Sequence, residues 1–156
     1  GRTACDMLPT TVERLAEIPN IIGIKEAKGD LDRVRDLVAL NLPDFALYSG
    51  DDATARASML AGFHGDISVT ANVAPEAMAR MCKAATSGNA EEAAAIDSDL
   101  ASLHRALFVE PNPIPVKWAL AELGLIEPGI RLPLVPLDEL HYEEVRAALR
   151  AAHLID

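Results

Sequence analysis

Short apolar runs alternate with amphipathic stretches along the first half of the chain. The runs are rich in branched or aromatic residues and are flanked by turn-forming residues, which is typical of buried parallel strands. The expected strands cover residues 20–25, 45–50 and 65–70. Apolar residues between them recur at helical spacing. The expected helices cover residues 9–18, 31–40 and 53–60. Asp30 and Asp52 are placed to cap the second and third helices. This alternation predicts an α/β fold with a parallel sheet.

The second half of the chain contains only helical patterns. The expected helices cover residues 75–85, 90–107, 116–123 and 138–152, and Asn89 is placed to cap the longest of them. Three parallel strands leave two open edges and form a poor complete sheet. We therefore expect the missing strands to come from an absent N-terminal segment or from a second chain. The opening, Gly1–Asp6, has no Met and resembles the middle of a loop, which supports this expectation.

Composition narrows the class of protein. The chain has 156 residues, a net charge of -10 and no run of Lys or Arg, so we expect neither nucleic-acid nor membrane binding. Its two cysteines, Cys5 and Cys82, are too few for a disulfide framework and favour a reducing, cytoplasmic location. The four histidines are scattered, with no spacing typical of metal ligands. We expect a cytoplasmic protein without a bound metal.

Lys25 is the first candidate for chemistry, because it follows an apolar run at the carboxyl end of an expected strand. Active sites of α/β barrels lie at that end of the strands. A lysine in an apolar pocket loses part of its preference for the charged form and can attack a carbonyl group as an amine. Two plainer interpretations remain open from the pattern alone. The side chain could extend into solvent where the strand ends, or it could pair with Glu26.

Other polar residues follow the second and third strands. Gly50 allows close approach of backbone to a ligand, whereas Asp51 and Asp52 are more easily explained as a turn residue and a helix cap. Ser68 lacks a His/Asp arrangement, so a buried, satisfied hydroxyl is the simpler interpretation. Alternating prolines in Pro111–Pro115 predict a stiff segment, either a linker or a pocket wall.

Four segments together resemble the dihydrodipicolinate synthase family, in that family's order and spacing. They are Gly23–Ala27 (GIKEA), Ser49–Asp52 (SGDD), Ile67–Asn72 (ISVTAN) and Phe108–Lys117 (FVEPNPIPVK). The resemblance covers essentially the whole chain. It implies a (β/α)8 TIM barrel, of which this chain holds the last three strands and a C-terminal helical extension. It also implies a division into a barrel part, residues 1–88, and the extension, residues 89–156.

The resemblance further implies chemistry. Lys25 matches the lysine that forms a Schiff base with pyruvate, whose enamine then attacks aspartate 4-semialdehyde to give 4-hydroxy-tetrahydrodipicolinate in lysine and diaminopimelate biosynthesis. Ile67 matches a backbone contact to pyruvate, Gly50 a glycine lining the pocket, and Arg2 the arginine that binds the semialdehyde carboxylate. No cofactor is implied beyond the covalent lysine–pyruvate imine. Full-length members are expected to be homotetramers.

The chain departs from the family pattern in what it lacks. The proton-shuttling tyrosine and the paired threonines belong to the missing N-terminal half, and neither Tyr48 nor Tyr142 matches that tyrosine. We therefore expect this chain to be inactive alone. Two alternatives remain. One is a related pyruvate aldolase, such as N-acetylneuraminate lyase or a keto-deoxy-sugar acid aldolase, although Arg2 and Pro111–Pro115 favour the synthase. The other is a non-catalytic half barrel that pairs with a partner chain.

Overall fold

A computed structural model describes residues 3–156, which form two compact units divided after Ile67. The first unit alternates helices and strands, as predicted. Its elements are α1 (Pro9–Ala16), β1 (Gly23–Glu26), α2 (Leu31–Ala39), β2 (Ala46–Ser49), α3 (Asp52–Leu60) and β3 (Gly65–Asp66). The three strands form one parallel sheet in the order β1-β2-β3. The predicted α/β class and parallel sheet are confirmed.

The second unit contains helices and no strand among its described residues. Its elements are α4 (Pro75–Thr86), α5 (Ala90–Ala106), α6 (Ile114–Glu122) and α7 (Tyr142–Ala151), with 3₁₀ turns at Thr70–Asn72 and Glu139–His141. The longest helix, α5, packs against α4 and α7. The division predicted at residue 88 would fall between α4 and α5, inside this unit, and it stays a prediction.

Apolar side chains at helical spacing build the core of the first unit. Val34 and Leu37 of α2, Ala55 and Met59 of α3, and Leu47 of β2 are all buried. Leu47 and Ser49 alternate with the exposed Tyr48, so one face of β2 is buried and the other is open. The open face also exposes Ile67 at 49%. The sequence predicted a buried strand, and in the structure only one face of β2 is buried.

Side-chain caps explain where two of the helices begin. Asp30 accepts hydrogen bonds from the backbone N–H groups of Asp32 and Arg33, which confirms the predicted cap of α2. The cap of α3 is Asp51, whose carboxylate accepts from the N–H of Thr54 at 3.1 Å, and the prediction of Asp52 is wrong. Asp52 is instead the first helical residue, and its side chain is 3% exposed.

The third strand is shorter than its sequence predicts. The strand ends at Asp66, one more backbone bond joins the N–H of Ile67 to the carbonyl of Ser49, and the chain then turns through Ser68 into the 3₁₀ turn at Thr70. The Ser68 hydroxyl accepts a hydrogen bond from the N–H of Ala71 at 2.8 Å, so it is satisfied as predicted, but the residue is half-buried and not buried. This local bond competes with strand pairing, because short hydroxyl side chains readily bond to nearby backbone. The predicted strand at residues 67–70 is therefore wrong.

A buried hydroxyl–imidazole pair lies in the core of the second unit. Thr70 is fully buried, and its Oγ1 atom lies 2.8 Å from Nδ1 of His104 on α5. The other ring nitrogen of His104 lies 3.6 Å from an oxygen of Asp97. Buried polar groups are costly unless they are hydrogen-bonded, so this pair contributes to stability only while both partners are present.

Substitution Thr70→Val tests this pair. The valine keeps the shape of the side chain but removes the hydroxyl, which leaves Nδ1 of His104 without that partner. We expect the free energy of unfolding to fall by about 1–3 kcal/mol. The matched control is Thr86→Val, because Thr86 is exposed and its hydroxyl bonds to the carbonyl of Cys82; we expect a loss below about 0.5 kcal/mol there. Urea denaturation would measure both, and equal losses would contradict the prediction.

The helices give no sign of a membrane span. Within residues 3–156, none is both long enough and apolar enough to cross a bilayer.

Candidate active site

Lys25 lies near the carboxyl end of β1, on the open face of the sheet. In the parallel register it is opposite Tyr48 of β2. Its side chain is exposed, as are those of Tyr48 and Ile67. Within residues 3–156, its amine forms no hydrogen bond or ion pair. The strand therefore presents an available amine, and residues 3–156 do not form the apolar enclosure that the sequence suggested for Lys25.

The side chain of Lys25 lies directly against Gly50. A Cβ atom built at Gly50 would come within 2.4 Å of Cε and 2.9 Å of Cγ of Lys25, and within 2.9 Å of Cβ of Ala27. Real Cβ atoms do not approach other carbon atoms so closely. The absence of a side chain at Gly50 is therefore what allows the observed path of Lys25 across the sheet. The structure brings these two predicted site residues into direct contact.

Glu26 does not pair with Lys25, which overturns one of the plainer interpretations of the sequence. Successive residues of a strand point to opposite faces, and Glu26 is directed away from the amine. Its carboxylate accepts a hydrogen bond from the backbone N–H of Lys28 at 2.8 Å and one from the guanidinium of Arg33 at 3.5 Å. The acidic neighbour of the lysine is thus engaged elsewhere.

Ile67 directly follows β3 and forms one more backbone hydrogen bond with β2. Its N–H donates to the carbonyl of Ser49 at 2.8 Å, so its backbone is held beside the end of β2. Lys25, Gly50 and Ile67 therefore all lie where the three strands end. Arg2, the fourth predicted site residue, lies outside the described residues. Tyr48 lies within β2 and Tyr142 begins α7, as the sequence predicted.

An acidic cluster lies on the opposite face of the sheet from Lys25, and it includes Asp66, which the sequence did not single out. Asp66 is paired with Ser49 in the register, and the buried Asp52 is its neighbour. Both carboxylate oxygens of Asp66 are buried, and neither forms a geometrically sound hydrogen bond within the described chain. The nearby Ser49 hydroxyl donates instead to the carbonyl of Asp51. Burial, and then the charge of Asp52, raises the pKa of Asp66 to about 7.

Substitution Asp66→Asn tests this pKa through stability. A carboxyl whose pKa is raised on folding contributes most below its unfolded pKa, near 4, and loses that contribution as pH rises through 7. The variant should therefore gain stability over the parent by about 1–2 kcal/mol at pH 8, after allowance for partial exposure, and almost none at pH 4. Thermal unfolding at both pH values would measure the difference. A gain that does not depend on pH would contradict the assignment.

No metal centre emerges from the described residues. No group of three or more His, Cys, Asp or Glu side chains is arranged to hold an ion. Two of the histidines form structural hydrogen bonds: Nδ1 of His64 accepts from the N–H of Leu47 at 3.0 Å, and His104 bonds to Thr70. Sequence reasoning missed these contacts, since each joins residues that are distant in the chain.

Comparison with known proteins agrees with the geometry. The dihydrodipicolinate synthetase family matches residues 1–152. The 4-hydroxy-tetrahydrodipicolinate synthase of Alcanivorax borkumensis is 59% identical over 156 residues, which is all of this chain and 53% of that protein. The same enzyme of Pseudomonas aeruginosa is 60% identical over 150 residues, 96% of this chain and 51% of that protein. The chain thus spans about half the length of the curated relatives it matches.

Solved structures show the same relationship. The chloride-inhibited dihydrodipicolinate synthase from Acinetobacter baumannii, solved with pyruvate, superposes with a TM-score of 0.93 at 53% identity, over 96% of this chain and 52% of that one. The Thermotoga maritima synthase superposes with a TM-score of 0.90 at 43% identity, over 95% and 52% of the two chains.

The fold and these similarities define the class of protein: the chain is part of a (β/α)8 barrel with a lysine near the carboxyl end of a strand. The chain belongs to the dihydrodipicolinate synthase family. It corresponds to the last three strands of the barrel and the C-terminal helical extension.

Proposed function

We propose that this chain supplies the Schiff-base lysine of a 4-hydroxy-tetrahydrodipicolinate synthase, which condenses pyruvate with aspartate 4-semialdehyde. The observation that carries the proposal is the placement of Lys25. It is an unpaired amine at the end of a strand and lies across Gly50, and Ile67 is bonded through its backbone to Ser49 at the end of the adjacent strand. Identities near 60% to synthases over the whole chain support the choice of substrates.

The reaction begins at the amine of Lys25. In its neutral form, the amine attacks the ketone carbon of pyruvate, and loss of water leaves an imine. The imine draws electrons from the methyl group, which loses a proton and becomes an enamine. The enamine carbon attacks the aldehyde, and the amino group of the bound product then displaces the lysine as the ring closes. The lysine amine is regenerated, so the cycle balances without a cofactor.

The neighbouring residues take supporting roles in this proposal. The backbone of Ile67 contacts bound pyruvate, and Gly50 leaves space for the lysine and its adduct. Arg2 binds the carboxylate of the semialdehyde, because a guanidinium can grip a carboxylate through two parallel hydrogen bonds. The proton relay comes from the N-terminal half that the relatives carry. That half also covers the open sheet face, where Tyr48 is 37% and Ile67 49% exposed.

The complete enzyme is proposed to be a cytoplasmic homotetramer. The two cysteines form no disulfide within residues 3–156, which is compatible with a reducing compartment. A half barrel without catalysis remains the competing function, and the exposed apolar face is the observation that favours it. On that view, the chain serves only to pair with another polypeptide.

Borohydride trapping tests the proposal. Reduction in the presence of pyruvate converts an imine into a stable amine, which peptide mass spectrometry locates. The experiment uses the chain alone and a chimera in which the N-terminal half of the Alcanivorax borkumensis synthase precedes Gly1. We expect an adduct on Lys25 in the chimera and turnover only there. An adduct in neither form, or on another lysine, would overturn the proposal.

The aldehyde used after trapping distinguishes the synthase from related aldolases. The chimera should consume aspartate 4-semialdehyde in preference to sugar aldehydes such as N-acetylmannosamine. The opposite preference would assign the chain to a sugar-acid aldolase.

A further inference from the structure

Arg33 is a buried arginine that the proposed mechanism does not use. It lies on the first turns of α2, and its side chain is only 6% exposed. Arginine is seldom buried unless it is paired, and burial of its charge is costly. A guanidinium in this setting therefore has a specific role in the structure around it.

Three acceptors from two other parts of the first unit surround the Arg33 guanidinium. Nη2 donates to the carboxylate of Asp6 at 2.7 Å, and Nη1 donates to the carbonyl of Met7 at 2.7 Å. Nη1 also lies 3.5 Å from the carboxylate of Glu26, at the end of β1. The Asp6 hydrogen bond raises the pKa of Arg33 above its usual value, so the group is permanently charged. Arg33 thus joins the segment before α1 to the strand that carries Lys25.

Glu26 is the partner that connects Arg33 with the chemistry. It is adjacent to Lys25 in sequence, and its carboxylate is only 11% exposed, so solvent screens its charge weakly. A nearby carboxylate favours the charged form of an amine, which cannot attack a carbonyl. In the structure, that carboxylate is held by Arg33 and by the N–H of Lys28 on the face away from Lys25.

We propose that Arg33 is a positioning residue for Lys25. By binding Glu26, it compensates the carboxylate that would otherwise stabilise the unreactive ammonium form of the lysine, and it fastens the end of β1 to the segment before α1. This inference rests on the proposed Schiff-base function of Lys25. It gives Arg33 a role in the proposed reaction although this residue contacts neither the substrate nor Lys25.

The test is the pH dependence of imine trapping on Lys25 in the chimera. Arg33→Met removes the charge, and Arg33→Gln removes it but keeps a polar side chain that can form hydrogen bonds. We expect either variant to move the pH midpoint of trapping upward by about half a unit to one unit, the range for unit charges roughly 10 Å apart near a protein surface. The trapping rate at pH 7 should fall roughly three- to tenfold as a consequence.

Compensating variants separate this effect from simple loss of structure. Adding Glu26→Gln to Arg33→Met should return the midpoint to its original value, although both partners of the ion pair are then absent. Arg33→Lys should keep the original midpoint, because it keeps the charge. Glu26→Gln alone, which leaves Arg33 paired with Asp6, should move the midpoint downward by about as much as Arg33→Met moves it upward, because the two changes cancel in the double variant. The Glu26→Gln variant remains informative if both charge-removing variants of Arg33 fail to fold.

Arg35→Met is the matched control. Arg35 is an exposed arginine on the same helix, paired with Asp32, so its loss changes net charge equally without touching Glu26. Its midpoint should not move. An unchanged midpoint in Arg33→Met and Arg33→Gln, or a double variant as shifted as the single one, would overturn the inference. Absence of any Lys25 adduct in the unsubstituted chimera would instead overturn the proposed function, so the two failures are distinguishable.

Discussion

Substitution Lys25→Ala is expected to abolish both the pyruvate adduct and synthase turnover in the chimera. The variant has no amine at the end of β1, so no imine can form there, and the route through the enamine is closed. Loss of a covalent nucleophile typically lowers turnover by a thousandfold or more. We expect at least that loss in kcat, measured with a coupled assay of aspartate 4-semialdehyde consumption, together with the disappearance of the borohydride-trapped peptide.

Lys28→Ala is the matched control for this experiment. Lys28 is an exposed lysine three residues along the chain, and its amine is paired with Asp30 at 3.2 Å. Its removal deletes the same kind of side chain outside the open sheet face. We expect both the adduct and the turnover to remain. If Lys25→Ala still yields a trapped peptide, or if Lys28→Ala loses it, then Lys25 is not the Schiff-base residue.

Substitution Gly50→Ala is expected to have the second largest effect. The new methyl group would lie 2.4 Å from Cε of Lys25, so the lysine side chain would have to leave its observed path. The backbone of β2 cannot give way easily, because the N–H of Gly50 is bonded to the carbonyl of Glu26 at 2.8 Å. Displacement of a reacting group by about 1 Å can cost a hundredfold in rate. We expect kcat/KM and the trapping rate to fall together by about that factor.

Gly65→Ala provides the control for a glycine on the same sheet. A Cβ atom at Gly65 would make ordinary contact with the ring of Tyr48 at 3.4 Å, and nothing closer lies nearby. We therefore expect a change of less than about threefold in rate and little change in melting temperature. If Gly50→Ala traps pyruvate as fast as Gly65→Ala does, Lys25 can react from another rotamer and the glycine does not position it.

Lys25 and its neighbours illustrate how far sequence reasoning reaches in this chain. The pattern of apolar runs separated by helical stretches was sufficient to predict the parallel sheet, because burial and backbone geometry impose different periods on strands and helices. A helix cap could be predicted from residue type and position, as for Asp30 at the start of α2. Four motifs in register were sufficient for the family. Each of these inferences depends on residues close together in the chain.

The errors have a common physical origin. At Asp51 and Asp52, two adjacent carboxylates could each cap α3, and the choice depended on which side chain the surrounding structure buried. Residues 67–70 have a strand-like composition, yet the Ser68 hydroxyl bonds to the N–H of Ala71 and favours a turn. Local alternatives of nearly equal free energy are decided by contacts that sequence patterns do not contain.

The remaining features depend on pairs distant in sequence. Sequence placed Lys25 at the end of a strand, but only the three-dimensional arrangement placed it against Gly50, directed Glu26 to Arg33, and brought Asp66 beside Asp52. Period and residue type are local properties, so they specify which elements form and which side of each is apolar. Charge compensation and steric fit depend on distances between elements, and those distances exist only after the chain has folded.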